Sequence, residues 1–76
     1  MYVLDIGYDA ELYNDDTETQ VHGILSVKGS LQGCGIGFGI RDIQYVYATE
    51  ADALAATNAL VTSTFQYKYC AVTKED

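Results

Sequence analysis

The chain has no proline, only four basic residues, a single histidine and two cysteines in 76 residues, and each scarcity removes a class of protein. Without proline, a Ser/Gly-rich linker or an internal repeat, nothing marks a domain boundary, so residues 1–76 are expected to form one domain. Four bases give no basic footprint for the phosphate neutralisation that drives binding to DNA, RNA or an anionic membrane, so none of these is an expected direct partner. Cys34 and Cys70 form no C-x-x-C pair and no His/Cys cluster with zinc spacing, so they read as buried, reduced thiols, and no metal or cofactor is expected. No apolar run approaches the roughly 18 residues of a membrane helix. The opening Met1-Tyr2-Val3-Leu4-Asp5 lacks the basic start and long apolar stretch of a signal peptide, so a cytoplasmic location is the expectation.

What remains is a small, acidic, foldable chain. Its 49% hydrophobic content is ordinary for a globular protein and too high for a disordered acidic tail. A core of this size supplies only about 3–5 kcal/mol net, which makes self-association a reasonable source of further stability. Eleven acids against four bases give a net charge of −7, unevenly placed. Asp5, Asp9, Glu11, Asp15, Asp16 and Glu18 all precede the first base, Lys28. Such a segment would steer the protein toward a basic partner surface, although net charge also serves solubility alone.

Hydrophobic periodicity predicts an α+β domain. Residues 2–8 alternate, with Tyr2, Leu4, Ile6 and Tyr8 on one face, as in a half-buried strand. Asn14-Asp15-Asp16-Thr17 reads as a loop, and residues 19–28, with Val21, Leu25 and Val27 in alternation, as a second strand that turns at Lys28-Gly29-Ser30 into a third. In that third strand, residues 33–40, glycine occupies every odd position and an apolar residue every even one. The parity reverses at Arg41-Asp42, where a bulge is favoured over a tight turn because no turn glycine is evident. Thr49 with Asp52 three residues on, then an alanine-rich run, predicts a helix over about 50–64. Leu54, Val61 and Phe65, flanked by Ala53 and Leu60, are its expected packing side. Residues 66–73 read as a final strand. The expectation is an antiparallel sheet of three to five strands with one helix on one face, in the order β-β-β(-β)-α-β.

No catalytic constellation stands out. The glycine series fails the dinucleotide pattern, since Phe38 and Ile40 occupy the places its last glycine would need, and no Gly-Lys-Ser/Thr follows for a phosphate loop. Close-set strand glycines point instead to a bend or a closely approached surface. His22 has no sequence-adjacent nucleophile and, on a strand, would face away from the cysteines. The segment Asp15–Glu18 lacks the ligand spacing and glycine of a calcium loop. Seven tyrosines, with Tyr45/Tyr47 and Tyr67/Tyr69 at strand spacing, suggest an aromatic binding face, with cross-strand stabilisation as the alternative use. If the helix covers the face bearing Cys34, Ile36, Phe38, Cys70 and Val72, then Tyr67 and Tyr69 lie on the open face.

The sequence thus points to a protein-binding module rather than an enzyme, an inhibitor or regulator that docks on the basic surface of a nucleic-acid-binding protein. Phages and mobile elements encode small acidic proteins of this kind against host defence, an analogy of composition. The expected binding residues are Asp9, Glu11, Tyr13, Asp15, Asp16, Glu18, Tyr67 and Tyr69. The alternative is a homodimer or larger homo-oligomer that uses a tyrosine-rich sheet face.

Overall fold

The computed structural model describes residues 1–75. The elements run β1 (Tyr2–Asp9), a single 3-10 turn (Ala10–Leu12), α1 (Asp15–Leu25), β2 (Gly29–Gly37), β3 (Ile40–Tyr47), α2 (Glu50–Thr62) and β4 (Tyr69–Lys74). The four strands form one antiparallel sheet in the order β2-β3-β1-β4. Each helix therefore crosses over one intervening strand, β3 between β1 and β2 and β1 between β3 and β4, which is the ferredoxin-like split β-α-β arrangement. Both helices pack on the same sheet face. The α+β class and the antiparallel sheet agree with the sequence reading, whereas the element order does not: the chain is β-α-β-β-α-β with two helices.

The missed helix is α1, where a loop and a second strand were expected. Asn14 caps it by accepting a 2.8 Å hydrogen bond from the Thr17 backbone N–H, and Asp15, Asp16 and Glu18 place negative charge in its first turn. Its two fully buried residues, Val21 and Leu25, are four apart, a spacing that fits a helix and a strand equally. The turn residues Asn14–Asp16 are thus the helix start.

Between β2 and β3 the chain reverses in two residues rather than through a bulge. Phe38 and Gly39 have φ of 53° and 77°, the paired left-handed conformations of a type I′ hairpin, so the turn glycine was Gly39. This reversal flips the parity. A register shift does occur in β2, but between Leu31 and Gly33.

α2 begins where the sequence placed it, with the Thr49 hydroxyl accepting from the Asp52 N–H at 3.1 Å. Its buried side is Ala53, Ala56 and Leu60, not the predicted Leu54 and Val61, which are 47% and 54% exposed. Phe65 is buried beyond the helix end, edge-on to the Tyr8 ring at 5.1 Å between centroids. Small residues bring α2 close to the sheet, while larger ones fill the space under α1. Leu4, Ile6 and Tyr8 of β1 and Ile43, Tyr45 and Tyr47 of β3 form the sheet's half of the core. Tyr47 spans the gap beneath α1 and donates to the Leu25 carbonyl at 2.6 Å. Its ring lies across Gly29, where any Cβ would overlap it. Gly29 in the edge strand therefore makes room for an aromatic from its neighbour, as Gly7 does for Tyr69 on the other face.

The helices do not reach across β2. Cys34, Ile36 and Phe38, expected on a covered face, are exposed, as is Leu31, while Cys70 and Val72 of β4 are partly buried against the core. The two cysteines sit on opposite edge strands, three inter-strand steps or roughly 14 Å apart, too far for a disulfide. Among the described residues no helix is long and apolar enough to cross a membrane.

Candidate functional site

The topology gathers the acidic segment at one end of the molecule. β1 ends there at Asp9, the 3-10 turn carries Glu11 and Leu12, α1 starts with Asp15 and Asp16, and the chain returns through Gln66, Tyr67 and Lys68 into β4. Asp9 is held in place by accepting the Glu11 N–H at 3.0 Å, and the Lys68 N–H donates to the Gly7 carbonyl at 2.7 Å. Asp9, Glu11, Leu12, Gln66, Tyr67 and Lys68 line a shallow depression of about 270 Å³. A second, of about 230 Å³, adjoins it through Leu12 and Gln66 and includes Thr17, Gln20 and Phe65. Of the eight expected binding residues, folding brings Asp9, Glu11 and Tyr67 into one depression, and Asp15 and Asp16 are exposed at the start of α1, next in sequence to Thr17 of the second.

The other three have different surroundings. Glu18 is an internal ion-pair partner: its Oε1 lies 2.6 Å from Arg41 Nη2, and the two side chains are only 15% and 12% exposed. The Tyr8 hydroxyl donates to Glu18 Oε2 at 2.5 Å, and His22 Nε2 lies 3.4 Å from Oε1. Burial opposes the Glu18 carboxylate, but hydrogen bonds from Arg41 and Tyr8, with the charge of Arg41, overcome it and hold its pKa below the usual range. The same hydrogen bond raises the Arg41 pKa. Burial, reinforced by the Glu18 carboxylate, raises that of Tyr8. Tyr13, 50% exposed, stacks on Arg41 with the guanidinium carbon 5.0 Å from its ring centroid. Tyr69 lies on the open sheet face, 41% exposed over Gly7. Burial and the neighbouring Asp5 and Asp42 raise its pKa.

The tyrosine-rich open face is not present. Tyr8, Tyr45 and Tyr47 are buried on the helix side, and Tyr67 precedes β4 and packs against the core rather than sharing a strand face with Tyr69. Besides Tyr69, that face carries Asp5 and Asp42, bridged by the Gln44 amide at 3.2 and 2.9 Å, and the bare positions Gly33 and Gly35. Asp42 and Gln44 were missed, because assigning them a face required knowing that the chain reverses at Phe38-Gly39.

His22, expected on a strand and facing away from the cysteines, lies instead in α1 against the sheet residue Tyr45. Its Nδ1 is 2.6 Å from the Tyr45 hydroxyl, so both ring nitrogens have partners in the Glu18 network. A third depression, of about 300 Å³, lies between the helices against Ile24, Val27 and Ala59. None of these three depressions is lined by His22, Cys34 or Cys70. Among the described residues, no group of three or more His, Cys, Asp or Glu side chains could hold a metal.

No protein-family model, curated protein or solved structure matches the chain.

Proposed function

We propose that this chain is a protein-binding module, not an enzyme, and that it docks its acidic end on a basic surface of a partner protein. The observation that carries the reading is that Asp9 and Glu11 line one depression with Tyr67, while Asp15 and Asp16 are exposed at the start of α1, next in sequence to Thr17 of the adjoining one. Among the described residues at that end, Arg41 is already paired with Glu18, leaving Lys68 as the base outside an ion pair. The local charge is therefore about −3, enough to steer encounter with a basic surface. Leu12, 42% exposed, and Tyr67 supply an apolar floor where charge alone would give little affinity.

A basic protein surface that evolved to hold nucleic acid fits this chemistry best. The module then acts as an inhibitor or regulator that occupies the nucleic-acid site, as anti-defence proteins of phages and mobile elements do. Direct binding to nucleic acid or an anionic membrane conflicts with the charge. The test is affinity capture from the native host at low and moderate salt, with wild-type protein and Asp9→Lys/Glu11→Lys in parallel. A basic partner retained by wild type at low salt and lost by the variant supports docking at this end. Equal retention by both, or no basic partner at low salt, refutes it.

A further inference from the structure

We infer that β2 is the interface of a symmetric homodimer, in which the edge strands of two copies pair antiparallel and the exposed Phe38 of each packs on the N-terminal half of the other's β2. The turn end of β2 adjoins the acidic end, since the Ala10 N–H donates to the Gly39 carbonyl at 2.9 Å, but the strand edge itself carries no acid and the inference does not depend on the partner reading.

The two edges of the sheet differ. β4 is preceded by Lys68 and ends in Lys74, charges of the kind that discourage strand addition. β2, a nine-residue strand, contains no charged residue, and the uncharged stretch runs from Gly29 through Ile40. For a chain with net charge −7, self-association is least opposed where no acid is present. In the two-residue hairpin, Gly37 and Ile40 are the hydrogen-bonded pair next to the turn, so by alternation Cys34 and Ile36 direct their backbone N–H and C=O groups outward. An antiparallel strand is self-complementary under a two-fold axis, and a second β2 satisfies those groups.

The side chains fit the same arrangement. Leu31 is 51% exposed, Ile36 57% and Phe38 109%, on a face that the helices leave uncovered. Antiparallel pairing sets the turn end of one β2 beside the start of the other. Phe38 then meets Leu31 and Val27 of the second copy, Val27 being 64% exposed in the monomer. Phe38 is also an expensive choice for its own turn: a bulky residue at φ of 53° costs about 1 kcal/mol, which Asn or Gly there would avoid. A strand of this length is about 30 Å long, so its edge and these side chains bury roughly 1,000 Å² in total, the size of a weak, reversible interface. A contact of this size suits a reversible dimer, for which a dissociation constant on the order of 10 µM is the expectation to test.

The experiment is sedimentation equilibrium of the full chain from about 2 to 200 µM, spanning that range, on wild type, Phe38→Asn and Ile36→Lys. Phe38→Asn places Asn-Gly, a favoured type I′ pair, in the turn, so the monomer keeps or gains thermal stability while losing the interface. Wild type is expected to be a reversible dimer, with both variants weakened at least about tenfold, equivalent to about 1.4 kcal/mol. A wild type that stays monomeric over the whole range, or a Phe38→Asn protein that dimerises as well as wild type, overturns the inference.

Discussion

Replacing Glu18 with glutamine isolates the one acid of the first 18 residues that the fold has taken inside. The carboxylate accepts from Arg41 at 2.6 Å and from Tyr8 at 2.5 Å, with side-chain exposures of 15% for Glu18 and 12% for Arg41. Glutamine keeps the shape and loses the charge, leaving Arg41 without its counterion. Hydrogen bonds to charged groups contribute about 1.5–3 kcal/mol, and breaking a fully buried pair costs about 3–5 kcal/mol. Residual solvent access places this site near 2–3 kcal/mol. At about 4–8 °C per kcal/mol for a domain of this size, the midpoint falls by roughly 10–20 °C. The carboxyl pKa is lowered by folding, so its contribution is complete above the unfolded value near ~4.3 and disappears as pH falls through the folded value. Urea titrations of both proteins should therefore show a wide gap at neutral pH that narrows in acid. A neutral-pH gap below about 0.5 kcal/mol, the range of ordinary surface substitutions, or a gap that persists undiminished in acid, would refute the assignment. Glu11→Gln, at an exposed position, is the control and should stay within about 0.5 kcal/mol.

Two glycine substitutions should move in opposite directions. Gly23→Ala lies in α1 with nothing within 4 Å of the added Cβ, and should stabilise by about 0.5–1 kcal/mol. Gly29→Ala drives a methyl into the buried Tyr47 ring and should destabilise by about 1–3 kcal/mol in the same denaturation assay. Thiol labelling should be sequential, exposed Cys34 first. Burial raises the Cys70 pKa, with a Thr57 hydrogen bond opposing it in part, so that thiol should react slowly until the protein unfolds. Equal labelling rates in the native state would contradict the packing of Cys70 against the core and the exposure of Cys34.

The parts of the fold legible in the sequence were those where one periodicity or one local signal stood alone. The alternation of Tyr2, Leu4, Ile6 and Tyr8 and the Thr49 cap gave β1 and the start of α2 directly. α1 was hidden because threonines, valine and glycine lower its propensity, and because Val21 and Leu25 suit both periods. Its cap, Asn14 with Thr17, also resembles a turn. The reversal at Phe38-Gly39 was hidden because a phenyl group is a poor turn residue and the neighbouring glycines masked the informative one. The acidic end was legible as charge but not as a surface. Sequence could not tell that Glu18 turns inward to Arg41, a residue 23 positions away, or that Tyr67 returns to meet Asp9 and Glu11.

The central claim is that exposed acids at one end of the molecule guide it to a basic partner. The most direct test is the association rate of the captured partner with wild type and with Asp15→Lys/Asp16→Lys, measured across a salt series, with unfolding followed alongside. Lysines in the first turn of α1 should cost only about 0.3–1 kcal/mol each in stability. Association should slow by tenfold or more at low salt, where steering operates over a Debye length of about 30 Å, and the two proteins should converge as salt shortens it. Equal rates at low salt, with both proteins folded, would contradict the account.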